Sequence, residues 1–471
     1  MRTNLRDSVF LKVIFVGVVA VILLIPLFLI RSLITERQGR RDVAAIEVGE
    51  KWGAVQTVAG PFITVPYTVY WIDENKVQRS GRAYAQFLPE DLDIEARIDP
   101  EIRSRGIYDV VVYRAQIRMQ GKFSPIDLEE MNLPVADILW DETYISLAIS
   151  DMRGIREGVG LFWNGSDRGF EPGIVDQEIF ISGIHAKLPD PRNTLAGRNS
   201  FKIELNLNGS EELYFIPVGK SNRTEMTSDW PDPSFIGAYL PTEHEIDGEG
   251  FTGSWEISYL SRSFGQAWKS SASNFAGIGS ALSSSAYGTN LFLSVDHYHK
   301  TMRSVKYAIL FIILTFVAFF LLEIISKLSI HPFQYLLVGL AMSVFYLLLL
   351  SLSEHMDFIF SYTLASAVTI GIISAYSASI LNKKRLSVFF AVLLVLLYVC
   401  LFILLQLEDY ALLLGSGIVF LVLGFVMYIT RRIDWYSFRL DQGDSNRHDS
   451  NRHDPSRHDS SRHDPNQNDK K

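Results

Sequence analysis

Tyr307–Ile325 reads YAILFIILTFVAFFLLEII, nineteen residues in which Glu323 is the one charge. As a helix it is about 29 Å long, close to the ~30 Å hydrocarbon thickness of a bilayer. A run of this length and purity is what a membrane span needs, so this stretch makes the chain a membrane protein. Working outward, the sequence holds five comparable runs: Val13–Ile30, Phe333–Leu352, Phe358–Ile380, Leu386–Leu405 and Ala411–Thr430. Six transmembrane helices are therefore expected. The whole chain of 471 residues is 48% hydrophobic with a mean hydropathy of +0.15. The first run follows Arg2, Arg6 and Lys12, as a signal peptide would, but Ile30-Arg31-Ser32-Leu33 offers no small-residue cleavage site. It reads as an uncleaved anchor.

Lys and Arg in the short loops set the orientation. Lys327 follows the second span, Lys383, Lys384 and Arg385 follow the fourth, and Arg431 and Arg432 follow the sixth. The loops Ser353–Asp357 and Gln406–Tyr410 carry Glu354, Asp357, Glu408 and Asp409, with neither Lys nor Arg. Residues 1–12 and 431–471 are thus expected in the cytoplasm, 13–30 and 307–430 in the membrane, and 31–306 outside. Arg31, Arg37, Arg40 and Arg41 oppose this orientation, but long domains translocate largely regardless of charge.

The outside region holds 28 basic and 38 acidic residues. In Gly106–Met119, Ile107, Val111, Tyr113, Ala115, Ile117 and Met119 share one parity while Arg114, Gln116 and Arg118 take the other, as in a half-buried strand. Phe201, Ile203, Leu205 and Leu207 alternate with polar residues, and Asn208-Gly209 followed by Leu213–Pro217 predicts a hairpin. Phe62–Ile72 and Thr143–Ile149 are further strands, and Ile34–Glu50 continues the first span as helix. The expected fold is a six-helix bundle with a large β-rich, sandwich-like domain, one sandwich or two, inserted between helices one and two. Asn446–Pro465 repeats NRHDS-NRHDP-SRHDS-SRHDP and is too polar to form a core. It reads as a solvated tail, with metal binding at its histidines the sharper alternative.

Several strings, in order along the chain, resemble one known family. They include Val58-Ala59-Gly60-Pro61, Arg105-Gly106-Ile107-Tyr108, Ser150–Ile155 (SDMRGI), Ser228–Phe235 (SDWPDPSF), Lys306–Leu322 with Glu323, His331–Leu352, Ser353-Glu354-His355, Gln406–Ser416 and Thr430–Tyr436. Together they are similar to the CreD family of bacterial inner-membrane, cell-envelope-integrity proteins, from the first span to about Tyr436. The resemblance implies a multi-pass protein of the bacterial cytoplasmic membrane with a periplasmic domain, and a part in the envelope stress response. It implies no reaction, and no catalytic residue carries over. Where Asp232 stands, the family's motif often has histidine.

A net charge of −8 excludes a basic nucleic-acid binder, and a single cysteine, Cys400, excludes a disulfide framework. No phosphate loop, nucleophile elbow or dinucleotide fingerprint is present, and no cofactor, metal site or enzymatic activity is expected. Glu323 is a candidate intramembrane acid, with structural and ion-path readings both open. Lys300, Arg303 and Lys306, spaced for one helix face, form a candidate outer-leaflet charge layer with Glu354, His355, Glu408 and Asp409; the bland reading is solvated interface charge. Glu354-His355 is one adjacent pair, far short of a metal-binding helix motif. The hydroxyls of span four suit helix packing, with a pore lining as the alternative. The expected function is non-enzymatic, a periplasmic domain that senses or buttresses the envelope; the alternative is a small transporter or flippase-like bundle. Expected partners are the lipid bilayer and an unidentified periplasmic or envelope component.

Overall fold

The computed structural model describes residues 9–129, 131–156, 158–174, 182–269, 275–291, 297–326, 330–381, 383–407 and 410–431. Lys327, Glu408, Asp409 and the pentad tail lie outside the described residues. The chain divides into two compact units, residues 32–299 and residues 1–31 with 300–471.

Residues 32–299 build two sheets. The nine-stranded sheet runs through Pro233–Gly237, Tyr287–Leu291, Glu212–Ile216, Gln56–Ile72, Tyr144–Ile149, Gly183–Lys187 and Glu171–Pro172, with Gln78–Phe87 and Ala267–Lys269 branching from the long strand Gln56–Ile72. The eight-stranded sheet runs through Glu243–Asp247, Gly250–Ser258, Ser221–Ser228, Asp91–Arg105, Tyr108–Phe123, Asn199–Ser210, Gly160–Trp163 and Ser166–Arg168. Their inner faces share one continuous hydrophobic core, so this is a single large sandwich. The parity of Tyr113, Ala115, Ile117 and Met119 is that of the buried face, and Arg114, Gln116 and Arg118 point outward. Ile107 is the exception: it is 42% exposed in the turn that precedes the strand.

Two tyrosines tie the sheets together across the core. Tyr113 donates its hydroxyl to the Glu212 carbonyl at 2.8 Å, and Tyr287 shares a 2.5 Å hydrogen bond with Thr224 while its ring lies 5.7 Å from Trp255. Burial pushes both phenols above their ordinary pKa, so both stay neutral.

The expected hairpin at Asn208-Gly209 is not there. Asn208 and Gly209 stay in the ladder opposite Arg114 and Tyr113, inside Asn199–Ser210. The chain then crosses at Glu211 (φ 59) to the other sheet, where Glu212–Ile216 runs parallel to Gln56–Ile72. The glycine serves a close approach: a Cβ on Gly209 would strike the Tyr113 ring.

Among the described residues, five helices are long and apolar enough to cross a membrane: Lys12–Trp52 taken whole, His297–Ile324, Pro332–Ser353, Phe358–Leu381 and Lys384–Gln406. The count among the described residues is five, against the six expected. A sixth apolar helix, Ala411–Thr430, follows; its 20 residues make about 30 Å, and Leu413–Tyr428 is the part whose side chains are described without a gap. Val388, Phe389, Val392 and Leu396, on Lys384–Gln406, are each more than half exposed; in a helix apolar all round, such side chains suit lipid. The first span breaks at Leu23, between helices Val9–Ile22 and Leu24–Trp52. Pro26 explains the break, since it has no N–H for the Ile22 carbonyl and its ring crowds that oxygen. Leu23 is wholly buried and, with Phe316, closes on Gly339, where a Cβ would leave no room for them.

Gly209→Ala should destabilise the sandwich by about 1–3 kcal/mol through overpacking against Tyr113. Gly169, with open space around its Cα, is the control and should tolerate alanine. Fluorescence-detected urea unfolding of the full chain in detergent checks both; equal midpoints would refute the Tyr113 clash.

Candidate functional site

Glu323 lies in the last turns of the helix His297–Ser326 and is 4% exposed. An ionised carboxylate there is costly unless every lone pair is engaged. Three elements engage it. Lys12, from the helix Val9–Ile22, forms a close ion pair with Oε1. The Ile330 N–H donates to the same oxygen at 3.0 Å, and the Tyr335 hydroxyl donates to Oε2 at 2.9 Å.

Local sequence fixes these donors. His331 caps the helix Pro332–Ser353: its Nδ1 accepts from the Phe333 N–H at 3.2 Å, and the Gln334 side chain accepts from the His331 N–H at 3.1 Å. Pro332 takes the first helical position, where a missing N–H costs nothing. This capping box sets the helix start and hence the position of Tyr335, one turn in. The Tyr335 ring is held edge-on by Phe316 and Phe319, each 5.6 Å away, and Phe319 in turn meets Phe390 of Lys384–Gln406 at 4.6 Å. The carboxylate thus joins its own helix to Val9–Ile22 and Pro332–Ser353 through a cation, a phenol and a backbone amide, and the helix Lys384–Gln406 packs behind Phe319.

The outer-leaflet candidates are placed as follows. Arg303 donates through Nη2 to the carbonyls of Leu407 at 3.0 Å and Leu404 at 3.4 Å, at the end of the helix Lys384–Gln406. Those are carbonyls the helix leaves without partners, and the negative end of its dipole suits a cation. Lys300 Nζ lies 5.7 Å from the centre of the Phe358 ring. Lys306 is exposed, Glu354 is the half-buried C-cap of Pro332–Ser353, and His355 is exposed beside it. Among the described residues no cluster of three or more His, Cys, Asp or Glu could hold a metal ion.

The sandwich carries a constellation that sequence reasoning missed. Trp52, the last residue of the helix Leu24–Trp52, donates its indole N–H to the Tyr113 carbonyl at 3.2 Å. Three guanidiniums gather over that indole: Arg103 at 3.7 Å from the ring centre, Arg156 at 5.2 Å and Arg114 at 5.4 Å. Arg103 and Arg114 share Glu101, at 3.3 and 3.4 Å. Beside them, Asp151 accepts from the Ala54 N–H at 2.9 Å and pairs with Arg153 at 2.9 Å, while Arg153 donates to the Glu50 carbonyl at 2.8 Å. Burial pushes the Asp151 carboxyl up, but Arg153 and the N–H groups of Ala54 and Arg153 outweigh it and hold the acid below the usual carboxylate range. The string Ser150–Ile155 is thus a clamp on the end of a helix, not a phosphate loop.

Comparison with known proteins agrees with this architecture. The family model described as Inner membrane protein CreD matches residues 8–436. The Inner membrane protein CreD of Escherichia coli (strain K12) is 34% identical over 444 residues, which cover 93% of this chain and 96% of that one.

If Glu323 is a joint, its charges matter only as a pair. Glu323→Gln or Lys12→Met alone should each lower stability. Losing one partner of a wholly buried pair costs about 3–5 kcal/mol, and less is expected here because the Lys12 side chain is 26% exposed. The double variant should recover most of the loss, and thermal unfolding in detergent reads this cycle. Additive losses would show that the pair is not coupled.

Proposed function

The chain belongs to the CreD family of inner membrane proteins, and from that premise we propose a non-enzymatic envelope protein whose β domain senses or buttresses the envelope from the periplasm while its helices anchor it. The observation that carries this reading is the state of Glu323. The acid an ion path would need is engaged by Lys12, Tyr335 and the Ile330 N–H, which supports an anchor. A domain of this size, with one apolar core and a charged outer face, suits contact with a polar envelope component. The short-loop charges support an orientation with both termini in the cytoplasm. In the same proposal, the charge layer of Lys300, Arg303, Lys306, Glu354, His355, Glu408 and Asp409 locks the start of the helix His297–Ser326 to the loops beside it. Arg303, seated on the end of Lys384–Gln406, supports that role.

A transporter or flippase-like bundle is the second reading. It draws on the buried hydroxyl oxygens of Ser374 and Ser377 in Phe358–Leu381, which have no hydrogen-bond partner among the described residues. One variant separates the two. Lys12→Met with Glu323→Gln removes both charged side chains of the joint while leaving apolar and hydrogen-bonding contacts. An anchor keeps envelope tolerance in a complemented deletion strain at normal abundance; a path through Glu323 loses it.

The charge layer has its own test. Arg303→Glu should impair envelope tolerance, and adding Glu354→Lys or Glu408→Lys should restore it in at least one pairing. Partly desolvated charges couple by more than the fraction of a kcal/mol typical of exposed pairs. Topology must be verified alongside in a Cys400→Ser background. Single cysteines at Met356 and Tyr410 should label from outside intact spheroplasts, and one at Lys383 should not. The opposite labelling pattern would overturn the orientation, and strictly additive reversals would reduce the layer to solvated charge.

A further inference from the structure

Beside the Trp52 indole lies a cavity of about 220 Å³, lined by Glu47, Lys51, Trp52, Arg103, Ser104 and Arg105 among others. Three of these are cations, and Ser104 brings a hydroxyl that donates to Asp109 at 2.6 Å. The guanidinium of Arg103 is already positioned: it sits over the indole, 3.7 Å from the ring centre, and is braced by Glu101. Behind it, Arg114 and Arg156 add positive charge around the same ring. Asn208, with its amide oxygen turned toward Arg156, holds that guanidinium by its Nε at 3.0 Å. The setting sharpens the contrast, because the region that carries this cluster has ten more acids than bases.

We propose that this cavity is a binding site for a small phosphate ester, taken either from a soluble molecule or as the headgroup of an anionic phospholipid. The shape of the anion decides between phosphate and carboxylate. A carboxylate offers only two oxygens, in one plane, and one guanidinium fork can engage both. A phosphate presents three or more oxygens in a tetrahedron and can engage several cations at once, and Lys51, Arg103 and Arg105 all line the cavity. The volume admits one phosphate group with a short ester arm. The apolar wall of Trp52 and Val48 suits the carbon atoms of that arm.

Glu47 gives the site a built-in competitor. It lines the cavity and pairs with Arg105 at 3.4 Å, where an arriving phosphate would bind. Binding therefore exchanges one anion for another at Arg105, and the ligand must displace the Glu47 carboxylate. A cluster that served only to fasten the helix end would gain nothing from losing Glu47. The site stands on its own residues, independently of whether the domain senses the envelope.

The test uses the full chain in maltoside micelles, which contain no phosphate. Isothermal titration with inorganic phosphate and with glycerol 3-phosphate reads the soluble source. Titration with mixed micelles doped with phosphatidylglycerol reads the lipid source. Saturable binding is expected from at least one of them, weakened at least ten-fold by Arg103→Gln and by the exposed Arg105→Gln, and tightened several-fold by Glu47→Gln. Thermal unfolding establishes that the variants are folded; should Arg103→Gln fail, Arg105→Gln and Glu47→Gln decide alone. Binding of glycerol 3-phosphate assigns a soluble ester, and binding only from doped micelles assigns the headgroup. Absence of saturable binding with every probe, equal affinity for acetate, or affinities unmoved by Arg105→Gln and Glu47→Gln would overturn the proposal.

Discussion

A carboxylate at 4% exposure inside a helix bundle has to be satisfied by the protein, because lipid offers it nothing. Glu323 meets that constraint by drawing on three separate pieces of chain, and the arrangement of the helices follows. Lys12 has to arrive from the first helix, which fixes where that helix lies along its neighbours. Tyr335 has to arrive from the helix Pro332–Ser353, whose start is set by the His331 cap. The Ile330 amide has to point back at the acid, which shapes the connection. Around this polar centre the contacts are aromatic edges and small residues. Phe316, Phe319 and Phe390 surround Tyr335, and Gly339 lets Leu23 and Phe316 close in where Pro26 has bent the first span. Packing of that kind holds helices together in lipid, where no hydrophobic force drives them to associate.

The sandwich answers a different constraint, the end of a long helix that has to be fastened to a sheet. Tyr113 is the hinge pin of that fastening. Its carbonyl takes the Trp52 indole N–H, its ring fills the space that Gly209 leaves, and its hydroxyl reaches the opposite sheet at Glu212. The Asp151–Arg153 clamp secures the same helix end through the Ala54 N–H and the Glu50 carbonyl. A single indole that anchors three guanidiniums gives the joint an ordered, cationic outer surface in an otherwise acidic domain.

What sequence reading reached, and where it stopped, follows from the range of the interactions. The period-two pattern of Tyr113–Met119 reports a local property, burial on one face of a strand, and the structure keeps it. Asn208-Gly209 misled because the same dipeptide answers two demands. Turn chemistry favours it, but here the close approach of Tyr113 requires the glycine and the ladder continues through it. Ala411–Thr430 is legible as an apolar helix because its apolar run is local, and the structure keeps it. Glu323 stood out because charge inside an apolar run is conspicuous. Its partners did not, since Lys12 is 311 residues away and looks like an ordinary basic flank. Trp52 was invisible for the same reason: Arg103, Arg114 and Arg156 reach it from separate segments of chain, and no spacing in the sequence announces them.

The Lys12–Glu323 pair therefore does more for specificity than for stability. Replacing a buried ion pair by apolar groups of similar shape is often neutral or stabilising, so strength of binding does not explain a charge kept at such depth. Position does. An apolar helix in lipid can slide or rotate past its neighbours at little cost, because one leucine contact resembles the next. A lysine that must find one carboxylate, already oriented by a phenol and an amide, has a single satisfactory register. A slipped register would leave Glu323 short of its cation, a penalty of several kcal/mol that no rearrangement of leucines repays. The bend at Leu23 adds a second fixed point, since Leu23 fits only where Gly339 makes room. Two fixed points on one helix, one polar and one steric, determine both its depth and its rotation, which a uniformly apolar span would leave undetermined.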